Sequence, residues 1–294
     1  MRNLKNRKIR NRKSNSNFIV KVVIIVLAFT FSVGYSVLTT NLNFNVTAKK
    51  NPGLLADQIL STYSSRFLLY DGVYYNQGDN IYIKFNNANH QLLSIQADTK
   101  IMKIMALSPQ SPMAFNSSTL CANGATGNGC DNYYQRGTYS ASSMYTTFTN
   151  YITNTLNATS KSQLTEGPSY WGKVGTANSN GYTGVIEKSK SRVAQTKVTS
   201  LSLEDYVMRA PAPSSGTTLI DYSAGMTKLG LYSYNMWFIN SYNLPIVWKS
   251  GGKGFAEVSA TTSSTYRPIY VYFLSGDLKL KSGSGTSSSP YIIY

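Results

Sequence analysis

A chain of 294 residues with 28 Lys and Arg against 12 Asp and Glu is strongly basic at +16, yet half of that surplus lies in its first 21 residues. The other 20 basic residues are scattered, with no run longer than Lys49–Lys50, so the clustered footprint of a nucleic-acid-binding domain is missing and no nucleic-acid partner is expected. The 256 residues from Thr39 onward are enough to bury a core without stapling, and their one histidine excludes any chemistry that needs two.

Residues 1–17 form a basic arm, and Phe18–Leu38 is an apolar helix. Eleven of the seventeen residues from Val22 to Leu38 are Val, Ile, Leu or Phe, and the 21-residue span suits a hydrocarbon layer of roughly 30 Å at about 1.5 Å per residue. Arm and helix together hold eight Lys or Arg and no acid, which keeps the amino end in the cytoplasm and the rest outside. The expectation is a single-pass signal anchor in contact with membrane lipid. Cleavage after Ser36, with Gly34 and Ser36 as the small residues, is the competing reading, and a buried core helix is a third.

Residues 39–53 alternate Leu42, Phe44 and Val46 with Asn and Thr, as an extended stalk or first strand does, and stop at Pro52-Gly53. The domain then runs over 54–294. Leu54–Tyr63 has helical spacing. Asn80–Phe85, Gln91–Gln96 and Ile101–Leu107 read as an antiparallel meander joined by Asn86-Asn87-Ala88-Asn89 and by Asp98-Thr99-Lys100, which leaves His90 at a turn edge as an ordinary exposed or strand-end residue. Ser108–Tyr139 is a long loop rich in Ser, Asn and Gly, and its Cys121 and Cys130 are expected to be bonded outside the cell. A redox pair or a zinc site using His90 is the weaker alternative there.

Ser140–Leu156 carries Met144, Phe148, Tyr151, Ile152 and Leu156 as one amphipathic stripe. Leu164–Ser191 is turn-rich, with Trp171 its one large anchor, and Thr199–Ala210 is a strand entering a short helix closed by Pro211 and Pro213. The remainder reads as strands at Tyr234–Ile239, Ile246–Lys249, Gly254–Ser259, Ile269–Leu274 and Leu278–Lys281. The glycines of SGGKG between them suit a turn, since a phosphate loop would need a following helix and a Lys-Ser/Thr pair. The fold class expected is α+β, a loop-rich mixed domain with short antiparallel sheets.

Five segments in order carry a family resemblance: DGVYYNQGDNIYIKFNN from Asp71, LSLEDYVMRA from Leu201, MWFINSYN around Trp237, TYRPIYVYF with Arg267 and Pro268, and the closing LKLKSGSGTSSSPYII. With the entry VGYSVLTTNLNFNVTA they resemble uncharacterised membrane-anchored surface proteins of low-GC Gram-positive bacteria. That resemblance implies a fold related to the C-type-lectin-like and formylglycine-generating-enzyme group. It carries no established chemistry, and where relatives have Trp-Arg this chain has His90-Gln91.

Arg267 precedes Pro268 at the mouth of an apolar strand, so its guanidinium is expected to meet a carboxylate or several carbonyls, Asp205 first among them. Asp205, Tyr206, Trp237, Arg267 and Pro268 are thus structural candidates. No catalytic, cofactor-binding or metal-binding residue is assigned: Glu204-Asp205 are adjacent and face different sides, and Glu166-Gly-Pro168 and Asn243-Leu-Pro245 are faint echoes of a lectin calcium site. The 23 tyrosines and the exported position favour a non-catalytic binding domain for a cell-surface glycan, a cell wall polymer or a protein, with no cofactor. A structural envelope or pilus-like component and an extracellular enzyme are the alternatives. A type IV pilin is not among them, because the Gly before the apolar helix and the Glu five residues into it are missing.

Overall fold

A computed structural model of the chain describes residues 53–116, 142–173, 177–178, 181–182, 192–209, 222–241, 245–251, 254–259, 262 and 264–294. The basic arm, the expected anchor at 18–38 and stalk to residue 52, Cys121, Cys130 and Asn243 lie outside them. The chain divides into two units, Met1–Asn51 and Pro52–Tyr294. Among the described residues no helix is long and apolar enough to cross a membrane.

Helix α1 (Leu55–Thr62), within the expected Leu54–Tyr63, buries Leu55, Ala56 and Ile59. A 3-10 turn, Ser64–Arg66, leads into β1 (Phe67–Tyr70) and β2 (Val73–Asn76). Asp71 and Gly72 join the two strands with φ 47 and 74, the left-handed pair that a two-residue hairpin turn requires.

The expected meander forms as β3 (Tyr82–Phe85), β4 (Ala88–Gln96) and β5 (Met102–Ala106). Its first turn is tighter than the sequence reading. Asn86 and Asn87, at φ 48 and 61, close it in two residues, with Phe85 opposite Ala88. That draws Asn89 and His90 into the strand, so His90 is buried inside β4 rather than exposed at a turn edge.

Helix α2 (Ser143–Thr155) starts where the Ser142 side chain accepts from the Tyr145 N–H at 3.1 Å, and it buries Met144 and Phe148. The short α3 (Ala158–Gln163), capped by Asn157, was not anticipated. Nor were β6 (Gly167–Lys173) and the small pair β7 (Ala177–Asn178) and β8 (Gly181–Tyr182), in the stretch Leu164–Ser191 that reads as turns because of its glycines, nor β9 (Arg192–Thr196) just beyond it. Next come β10 (Val198–Thr199), α4 (Leu203–Arg209) and α5 (Tyr222–Lys228). The chain ends with β11 (Met236–Ser241), β12 (Pro245–Lys249), β13 (Gly254–Glu257), β14 (Val271–Leu274), β15 (Leu280–Ser282) and β16 (Tyr291–Ile293).

The protein is thus mixed α+β with several short-stranded sheets. The largest has nine strands in the order β10-β14-β5-β4-β3-β16-β15, with β2 and then β1 branching from β4. The nine-residue β4 serves three neighbours, pairing β3 through its first half, β2 through Ser94–Gln96, and β5. A five-stranded sheet runs β13-β12-β11-β6-β9. The sheets are not antiparallel throughout, as the sequence reading had it: β16 runs parallel to β3 and β11 parallel to β6.

Strand alternation sorts two cores. Leu92, Ile95, Met102, Ile104, Tyr272 and Leu274 face α1 and α2 on one side of the large sheet. Leu93, Met105 and Val271 point the other way, onto Leu203 and Tyr206 of α4, Met226 of α5, and Phe238 and Trp248 of the second sheet. β14, apolar on both faces, is covered on both, between β10 and β5.

Candidate functional site at the buried helix Leu203–Arg209

Most ionisable groups of a folded chain stay wet, so a seven-residue helix that buries Glu204, Asp205 and Arg209 together requires an account. The helix begins at Ser202. The Ser202 Oγ accepts from the Asp205 N–H at 3.2 Å, while one Asp205 oxygen, Oδ2, accepts from the Ser202 N–H at 2.9 Å and from its hydroxyl at 2.7 Å. This is the reciprocal capping box, with Asp in the third helical position.

The sheet supplies what the helix lacks. Register places Tyr75, Ser94, Lys103 and Phe273 side by side across β2, β4, β5 and β14 on the face that α4 covers. Within that row the Lys103 Nζ donates to Asp205 Oδ1 at 2.6 Å, an ion pair in which both side chains are almost fully buried, and it lies 5.7 Å from the Phe273 ring centroid. The Tyr75 hydroxyl donates to Glu204 Oε1. Burial first, and then the charge of Glu204, push the Tyr75 phenol far above its usual range, so it remains a donor at any physiological pH.

Arg209, 1% exposed, closes the far end of α4. Its Nη1 donates to the carbonyls of Asn76 and Gly78 and its Nη2 to Asn80 Oδ1, so one guanidinium grips the β2–β3 loop. Burial lowers its pKa to about 10, a shift that Asp79 and Tyr82 partly offset, and it remains charged at neutral pH. From α5 the Lys228 Nζ donates to the Gln77 carbonyl at 2.6 Å, giving the same loop a second cation. The two helices lie close because Gly225 has no Cβ: one added there would collide with the Tyr206 ring.

What this frame presents to solvent is β1. Among the described residues β1 pairs only with β2, and it carries Leu69 at 54% and Tyr70 at 39% exposure. Behind it, Met208 of α4 packs with Val73, Tyr75 and Leu68. The guanidinium of Arg66 sits 4.4 Å from the centre of the Tyr63 ring nearby.

The residues singled out from sequence are placed as follows. Tyr206 is fully buried against Phe238 and Phe255, and Trp237 is fully buried between Phe115 and Tyr266 with its indole N–H donating to the Met113 carbonyl at 2.8 Å. The pairing of Arg267 with Asp205 is overturned: Asp205 takes Lys103, and the Arg267 Nη1 reaches the Gln110 carbonyl at 3.3 Å. Arg267 is anchored through its backbone, which accepts from the Trp237 N–H and donates to the Asn235 carbonyl, while the Pro268 carbonyl accepts from the Gln110 N–H. Its segment runs beside Met236.

Lys103, Tyr75 and Arg209 were missed, although a lone Lys inside IMKIMAL and the Ser-x-x-Asp spacing of Ser202 and Asp205 were signals for the first and for the cap. Glu166 is exposed. Among the described residues no group of three or more His, Cys, Asp or Glu is placed to hold a metal ion. Neither family models, nor curated proteins, nor solved structures include one that matches the chain.

Proposed function

We propose that this chain is a membrane-anchored surface protein, with its amino end in the cytoplasm, and that the unit from residue 53 onward is a non-catalytic binding domain of lectin-like type for a glycan-bearing cell wall polymer. One observation carries the reading: the exposed Leu69 and Tyr70 ride on an edge strand whose partner β2 is fixed from behind by α4, through Tyr75–Glu204 and the Arg209 grip on Asn76. A rigidly held aromatic and aliphatic pair at a strand edge gives contact area at little entropic cost, and a tyrosine face suits a sugar face. The 20 basic residues after Lys21, against 12 acids, add attraction to an acidic polymer.

The test is retention of the full-length chain on isolated cell wall material, with and without calcium. The expected result is retention that the double substitution Leu69→Ser and Tyr70→Ser abolishes while the melting temperature stays that of the parent. Equal retention of the variant, or none for the parent, rejects the reading, and a calcium requirement would move the contact away from β1.

A further inference from the structure

We propose that Lys103 and Asp205 are the two ends of an intramolecular amide that forms within the folded chain. A buried ion pair is a poor stabiliser, because desolvation of the two charges cancels much of their attraction. The geometry around this one does more than pair charges. The Asp205 carboxyl is divided in function: Oδ1 meets the Lys103 amine at 2.6 Å, while Oδ2 is held by two donors, the Ser202 N–H at 2.9 Å and its hydroxyl at 2.7 Å. Two fixed donors on the oxygen that keeps its bond are what stabilises the oxyanion of a tetrahedral adduct, and they act more strongly where water is excluded.

The amine is confined as tightly. Lys103 points from the middle of β5 between Ser94 and Phe273 of the neighbouring strands, with the Phe273 ring beside its Nζ. The reacting pair is therefore held together before reaction, so the encounter costs no further translational entropy. The Tyr75 hydroxyl, on the strand row next to Ser94 and Lys103, is hydrogen-bonded to Glu204 beside Asp205 in α4.

The step balances without a co-reactant. Nζ bonds to Cγ of Asp205, and the Cγ–Oδ1 bond breaks. Of the three ammonium protons, two leave with Oδ1 as water and one stays on the amide nitrogen. Oδ2 becomes the amide carbonyl, still facing Ser202. The product fastens β5 covalently to α4 and replaces two buried charges by one neutral amide.

The experiment uses the full-length chain extracted from membranes in detergent, denatured, reduced and digested with trypsin. Trypsin cuts after a free Lys103, and an amide there blocks it. The expected product is a branched peptide joining residues 101–136 to 198–209, lighter by one water than its two arms. Lys103→Arg, which keeps the charge, should give no branch. Ser202→Ala should slow the appearance of the branch after refolding roughly 10²-fold, the usual cost of one oxyanion donor. Linear peptides cut after Lys103, with no branched product from the parent chain, overturn the proposal. A branch that forms as fast in Ser202→Ala removes the role given to Ser202.

Discussion

Arg209 and Arg267 both lie in segments that frame a core strand, and both were open to being buried cations, yet the molecule treats them oppositely. Arg209 is sealed at the end of α4, and its guanidinium takes three acceptors from the β2–β3 loop. Arg267 is half-buried, and its side chain makes one 3.3 Å bond to a carbonyl while its backbone does the holding. A side chain carries structural weight where it satisfies groups that nothing else can reach. Proximity to an apolar strand does not confer that weight, because a long arginine can extend its head to the rim.

The strongest way to break the comparison is at the centre of the α4 cluster. Asp205→Ala strands Lys103 in a dry site and takes away the acceptor of the Ser202 N–H and hydroxyl, so a loss of roughly 3–5 kcal/mol is expected. In a domain of this size that lowers the melting temperature by roughly 6–20 °C. A variant that melts like the parent would show that the buried pair contributes nothing to the fold.

Arg209→Met sharpens the same point. The apolar stem is kept and the head is lost, which takes the Arg209 donor from the Asn76 and Gly78 carbonyls, at about 3 kcal/mol, while Asn80 Oδ1 still accepts from Gln91 Nε2. Hydrogen exchange should rise in residues 76–80 before it rises in β5. Uniform loosening across the large sheet would mean that Arg209 supports the core and not that loop.

How far the fold could be read in advance follows from the same physics. Period-2 and period-3.6 patterns found α1, α2, the meander and the apolar β14 because each has a dry face made of adjacent residues. The sequence pattern failed where the partner is distant. Lys103 and Asp205 stand 102 residues apart, and nothing in either segment names the other. Arg267 was matched to Asp205 because both lie in segments that carry the family resemblance, and such membership does not imply contact. The β1–β2 hairpin had its Asp71-Gly72 turn in plain sight. His90 was misplaced by a turn read two residues too long.

His90 offers a test through pH. Its ring is packed against Phe85 and Tyr272, with Nδ1 3.1 Å from the Ala88 carbonyl. Burial, only partly offset by that hydrogen bond, lowers its pKa to about 4. The unfolded chain protonates near pH 6.5, so between there and pH 4 it holds more protons than the folded one, and stability falls as pH falls. The histidine's share of that loss is up to about 3 kcal/mol. In chemical denaturation at pH 7 and pH 4.5, His90→Phe should show a smaller difference than the parent. Equal slopes would place the ring in water.

The smallest effect belongs to Arg267. If a strand-mouth arginine were a buried charge, Arg267→Ala would unfold the domain. The structure gives its side chain one neutral acceptor, the Gln110 carbonyl, and the bonds that fix the segment run from the Arg267 N–H to Asn235 and from the Trp237 N–H to the Arg267 carbonyl. Alanine keeps both of those. Pro268 still biases the residue before it toward extended backbone, so the segment's path does not depend on the guanidinium. The expected cost is therefore below about 1 kcal/mol, one hydrogen bond to a group that water can reach in its place. Denaturant titration of parent and variant measures it directly. A loss as large as that of Arg209→Met would erase the difference between the two arginines and require a buried partner for Arg267.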